Sequence, residues 1–173
     1  MSKLGNLALL AVRVGVGGTM IAHGSQKLFG AFGGGGPEQT AEAFRQMGFP
    51  EPERAAQLSG VAEAAGGASL VLGLGTGAGG AALAGNMAVA SSVHAPAGFF
   101  NTDGGYEFPA LVGLVSGALA LGGPGKLSLD AATRNVFNKP WMRVAALAAS
   151  FGFAAYTASS RRPPADPEGD AAA

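Results

Sequence analysis

Residues 55–94 read AAQLSGVAEAAGGASLVLGLGTGAGGAALAGNMAVASSVH, and Glu63 is the only formal charge between Ala55 and Thr102. A solvated surface does not run that far without charge. A hydrocarbon core about 30 Å thick takes about 20 apolar residues per helical crossing, so the run is long enough to cross twice. The pattern predicts a helical hairpin, Ala55 to Leu74 and Gly77 to Val93, joined by a Gly-Thr-Gly turn. Gly75-Thr-Gly77-Ala-Gly-Gly80 formally fits the glycine fingerprint of dinucleotide-binding folds. That fingerprint needs a preceding strand, a helix opening at the glycines and an acid about 20 residues on. Membrane-like flanks and a nearest downstream acid at Asp103 leave a helix-hairpin turn instead.

Working outward, Leu4 to Ala22 carries only one charge, Arg13, and Gly104 to Gly125 carries only Glu107. The first predicts a spanning helix and Phe108 to Leu121 a shorter one, which makes four. Past the basic stretch Lys126 to Arg143, residues Val144 to Ser160 are uncharged, with Trp141 and Tyr156 near the ends where interfacial aromatics belong. This is the candidate fifth crossing. In the first loop, Pro37 suits a first helical turn, and Ala41, Phe44 and Met47 recur at three-residue intervals until Gly48. A short interfacial helix is expected there, broken by Phe49-Pro-Glu-Pro52. The expected fold is all-α: a four-helix transmembrane bundle with a fifth C-terminal helix and a short interfacial helix. Its divisions are a membrane domain over 1–131, a basic connector and fifth helix over 132–160, and a disordered tail over 161–173.

Composition agrees. Charged residues make up 13% of the chain, about half of the ~25% usual in soluble domains. Eleven basic residues balance eleven acidic ones, leaving no net field to hold nucleic acid. With no cysteine the chain has no disulfide, thiolate nucleophile or sulfur-ligated metal centre, so any redox chemistry needs a borrowed cofactor. Lys3 and the group Lys126, Arg134, Lys139 and Arg143 fall on one side of a four-helix topology. By the positive-inside rule this predicts a multi-pass protein of the inner (plasma) membrane with a cytoplasmic N-terminus. The opening helix reads as retained and not as a cleaved signal, because His23 to Lys27 is unlike a small-residue cleavage site. Pairs of small residues four apart (Gly60 and Ala64, Gly73 and Gly77, Ala81 and Gly85, Gly113 and Gly117) let helix backbones approach closely where lipid gives no drive to associate. Biased composition accounts for them equally well.

Ionisable groups in apolar segments are costly, so each needs a partner or a purpose. His23 and Lys27 lie one turn apart, Glu63 lies about eight residues inside the second helix, His94 ends the third and Glu107 opens the fourth. All five are expected on the outer side. As a set they admit three readings. Lys27 and Glu63 could be a neutralising pair while the histidines cap helix ends. The five could line a polar pocket for a quinone-like headgroup or for protons, since imidazole can change charge near neutral pH. Two imidazoles and two carboxylates could also ligate a metal, although no local pair at i, i+3 supports one, and no metal is assigned. Arg13, deeper on the first helix, is expected to snorkel to the inner headgroups or to pair with Asn86. Asn86 itself is expected to bond between helices.

One ordered series of residues is more specific than any of these pieces. It runs Leu10-Ala-Val-Arg13, His23-Gly-Ser-Gln-Lys27-Leu-Phe-Gly30, Phe44 with Gly48-Phe-Pro50, then Leu58-Ser-Gly60 with Glu63-Ala-Ala-Gly-Gly67. It continues through Leu72-Gly-Leu-Gly-Thr76, His94 with Gly98-Phe-Phe100, Gly105-Tyr-Glu107, Leu119-Ala-Leu121, Gly125 and Ser128-Leu-Asp130. Over residues 5–131 the chain resembles the DoxX family of small integral membrane proteins. The resemblance implies a four-helix membrane bundle. Its relatives include subunits of a thiosulfate:quinone oxidoreductase and members of membrane redox complexes linked to thiol and oxidative stress. The segment after Asp130 departs from that pattern. The resulting expectation is an integral membrane subunit of a redox assembly, in contact with lipid, quinone and a redox partner protein. The alternative is a non-enzymatic scaffold or small-molecule carrier.

Overall fold

Each helix boundary has a local cause. Helix α1 (Lys3–Phe29) begins where the Ser2 hydroxyl accepts from the Gly5 amide at 3.0 Å, and it ends at Gly30, whose φ of 68° stops the helix. Pro37 sits in the first turn of α2 (Gly36–Gln46), and Pro52 opens α3 (Pro52–Leu72). Helix α4 spans Thr76–His94 and α5 spans Glu107–Gly122. A single turn, α6 (Leu129–Ala132), is capped by Ser128, and Pro140 starts α7 (Pro140–Ser160). These elements come from a computed structural model that describes residues 2–162. The tail expected to be disordered lies mostly outside the described residues.

The architecture is helical throughout the described residues. Helix α1 packs along α3, and α4 stands centrally, in contact with α3, α5 and α7, while α2 lies across one end against α3. Met20, Leu70, Leu83, Met87, Val112 and Leu119 form the buried apolar core between α1, α3, α4 and α5. The helices approach through missing side chains. A Cβ added to Gly67 would lie 2.5 Å from the Gly17 carbonyl oxygen, and one added to Gly24 would lie 2.5 Å from the Ala64 amide. The Gly60/Ala64 pair thus belongs to the α1–α3 crossing. Gly85 meets Ser150 of α7, whose hydroxyl donates to the Ala81 carbonyl at 2.7 Å. Gly113 and Gly117 face α4 more loosely.

Two details differ from the sequence expectation. The α3–α4 turn falls two residues earlier, at Gly73 to Gly75, with positive φ at both glycines. The buried Asp130 carboxylate sets this position: its two oxygens accept from the amides of Gly75 (2.8 Å) and Thr76 (3.0 Å), so α4 starts at Thr76. Second, α1 alone among the described helices combines membrane length with high hydropathy. Helix α5 is apolar but has 16 residues. The α3, α4 and α7 helices are long enough but diluted by Gly, Ser and polar residues: α3 carries Glu53, Arg54 and Glu63, α4 carries Asn86 and His94, and α7 carries Arg143.

Helix α7 runs the length of the bundle. At its start, the Arg143 guanidinium donates to Asn138, whose side-chain oxygen also accepts from the Gly77 amide at the head of α4. At its end, Arg161 donates to the Met47 carbonyl at 3.0 Å and stacks over the Phe49 ring, and the Arg162 amide bonds the Gly48 carbonyl. The C-terminal end of α7 is therefore clasped to the α2–α3 loop.

Candidate functional site

Near the α2 end, three helices contribute polar side chains to one point. From α1, the Lys27 ammonium donates to Glu63 Oε1 at 2.5 Å and to Ser59 Oγ at 2.9 Å. Ser59 and Glu63 are one turn apart on α3, hence on one face. From α4, Asn86 Nδ2 donates to the same Glu63 oxygen at 3.2 Å. Glu63 is 2% exposed, eleven residues and about 16 Å from the start of α3, whereas the Lys27 side chain is 25% exposed. Oε2 of Glu63 is buried without a hydrogen-bond partner among the described residues. Such a buried oxygen is costly unless something else satisfies it.

A cavity of about 450 Å³ opens beside this cluster. Lys27, Ser59 and Asn86 form its floor, Gln39 and Phe44 of α2 cover it, and His94 stands on its wall. The Nδ1 of His94 lies 2.8 Å from the Gly104 carbonyl oxygen; that nitrogen must donate, leaving Nε2 as the acceptor of the neutral ring.

The five residues singled out from sequence do not share this cavity. Lys27 and Glu63 are paired, and Lys27 and His94 line the same space. His23 instead packs its ring on Phe108, with centroids 5.4 Å apart, and is absent from the cavity wall. Glu107 is exposed and accepts from the Asn101 amide at 3.1 Å, bracing the loop before α5. Among the described residues no three His, Asp or Glu side chains converge closely enough to hold a metal ion.

Arg13 overturns both of its expected roles. It neither snorkels nor meets Asn86: it is 1% exposed and its guanidinium donates to the carbonyls of Leu70 (2.9 Å), Leu127 (2.9 Å) and Pro124. Leu70 belongs to the last turn of α3, whose carbonyls have no helical partner, and a planar fork of five donors can serve several such oxygens at once. Asn86 does bond between helices, but to Glu63.

Sequence reasoning missed Ser59, although its spacing from Glu63 was the available signal. It also missed Asp130 and Asn138 as caps for α4; each is far away in sequence from the amides it serves, and no local pattern links them.

The DoxX family model matches residues 8–95. No curated protein and no solved structure matches the chain. The matched segment is half of the chain and spans the helices that carry Arg13, Lys27, Ser59, Glu63 and Asn86, and on that ground the chain belongs to the DoxX family.

Proposed function

We propose that this protein is a multi-pass integral membrane subunit of a redox assembly, its N-terminus cytoplasmic and its α2 end outside, with Lys27, Ser59 and Asn86 facing a quinone headgroup. The observation that carries the reading is the donor excess over the buried carboxylate. Among the described residues Lys27 uses two of its three N–H donors, Asn86 uses one of its two, and the Ser59 hydroxyl accepts from Lys27 with its own proton still to place. Three leftover donors at the floor of a 450 Å³ cavity suit a neutral acceptor such as a carbonyl oxygen. An anionic ligand fits less well, because Glu63 already neutralises Lys27. Membership of a membrane-associated family, the apolar α1 and the exposed aromatics Trp141 and Tyr156 near opposite ends of α7 support the placement in lipid.

Bound quinone would supply the electron-carrying chemistry. The chain's own residues orient the carbonyl and hold a proton. Glu63 Oε2 is buried without a partner among the described residues, one turn from Ser59, and His94 lines the same cavity as Lys27, so both are the candidates to carry a proton to or from the headgroup. Two electrons would reach the quinone from a centre on a partner protein, with two protons taken up to give the quinol.

The test is quinone retained per protein after purification from native membranes. Wild type should keep it, and Lys27→Met should retain about ten-fold less, equivalent to one charge-assisted hydrogen bond of ~1.5 kcal/mol. Equal occupancy in the two would remove the cluster's proposed role. A second reading, a non-enzymatic scaffold, draws on the same ion pair: Lys27 and Glu63 join α1 to α3, and Asn86 ties in α4. On that reading the substitutions lower stability and leave quinone content unchanged.

A further inference from the structure

Helices α3 and α7 both pack on α4 but scarcely touch each other. The gap between them is a cleft of about 620 Å³ whose outward walls are Leu58 on α3 and Phe153 and Tyr156 on α7, all three exposed. Its inner wall is α4, at Ala82, Gly85 and Asn86. Ser59 and Asn86, two of the three donors at the floor of the polar cavity, also line this cleft. One polar point is therefore shared by two spaces: a mouth toward the α2 end and an apolar slot open to the side. The charges at the slot's rim, Glu51 and Arg54, pair with each other at 3.1 Å and leave it without net charge.

We infer that the α3–α7 cleft is the lateral site for the hydrocarbon tail of a quinone whose carbonyl headgroup reaches Ser59 and Asn86 from the lipid side. The inference rests on the quinone reading above and adds the route and the tail. A tail-bearing molecule dissolved in the bilayer cannot approach through the aqueous mouth without exposing its chain to water, at a cost of about 0.8 kcal/mol per CH₂. The slot removes that cost, because apolar side chains accompany the chain from lipid to the donors. It also gives α7, which lies outside the matched family segment, a role as the second wall.

The experiment uses the full chain in phosphatidylcholine nanodiscs and a benzoquinone whose decyl tail ends in a diazirine. Photolabelled residues are mapped by mass spectrometry, and a tail-less, fully substituted benzoquinone is titrated as competitor. Wild type should be labelled mainly on α3 and α7 around Leu58 and Phe153. Ala82→Trp fills the slot from α4 and Ala62→Leu fills it from α3, so one variant remains if the other does not fold. Each should cut cleft labelling about ten-fold, the loss of roughly two buried methylenes, while binding of the tail-less quinone is retained. Labelling spread evenly over other lipid-facing residues such as Leu111 and Val144, or unmoved by both variants, overturns the cleft while leaving the headgroup site standing. A phospholipid carrying the same diazirine that labels the cleft as strongly as the quinone overturns the choice of occupant. Failure of both quinones to bind wild type removes the headgroup site and the cleft together.

Discussion

Breaking the Lys27–Glu63 pair from its two ends should have unequal consequences. Lys27→Met leaves the Glu63 carboxylate at 2% exposure with Asn86 as its remaining partner, an uncompensated buried charge worth about 3–5 kcal/mol of destabilisation. Glu63→Gln leaves the ammonium, whose side chain is already a quarter exposed and still bonds Ser59, so it can turn toward the cavity and water. The expected cost there is about 1–2 kcal/mol, the scale of one lost hydrogen bond to a charged group. The double variant Lys27→Met with Glu63→Gln removes both charges, so it should be more stable than Lys27→Met alone. The assay is reversible SDS or thermal unfolding of the purified protein in one detergent, followed by helical circular dichroism. If Glu63→Gln proves as costly as Lys27→Met, or the double variant is the sum of the singles, the carboxylate is not the stranded charge and the burial reasoning fails.

At the opposite end of the bundle, Arg13→Leu should cost about 3–5 kcal/mol by stranding the carbonyls of Leu70, Pro124 and Leu127, and Arg13→Lys should recover only part, because a point ammonium cannot match a planar fork; a neutral Arg13→Leu in the same unfolding assay would refute the bridging role. Asp130→Ala should cost about 2 kcal/mol by uncapping α4, with Asp130→Asn milder since it keeps one acceptor oxygen; equal losses would place the effect in the charge and not in the cap.

Much of the helical layout was legible in the sequence because charge is scarce and its gaps are long. The runs around Glu63 and Glu107 and the prolines at 37 and 52 marked helices that the structure places within a few residues of expectation. The glycine pairs marked some of the crossings, since a missing Cβ is itself the packing feature. What one dimension could not show was the direction in which a polar side chain turns. Lys27 and His23 share a face by spacing, yet the lysine reaches α3 while the imidazole lies on Phe108 of α5. Arg13 looked like an inner-surface residue because its true partners are backbone carbonyls, which every residue has and no pattern distinguishes. Asp130 and Asn138 are separated from the α4 amides they cap by more than fifty residues, and only the folded chain brings them there.

A cavity that is floored by Lys27 and its partners, opens on the outer side and holds a carbonyl headgroup should reveal both properties through a thiol on its wall. Because the natural chain has no cysteine, Ala43→Cys places one thiol on the cavity wall without background. Its reaction rate with a membrane-impermeant maleimide is measured on intact cells, with and without a fully substituted benzoquinone that has no free ring position for thiol addition. Labelling is expected from outside, slowed by the quinone in the otherwise natural chain and unprotected when Lys27→Met is added. Labelling only after the membrane is opened, or protection that survives Lys27→Met unchanged, would contradict this reading.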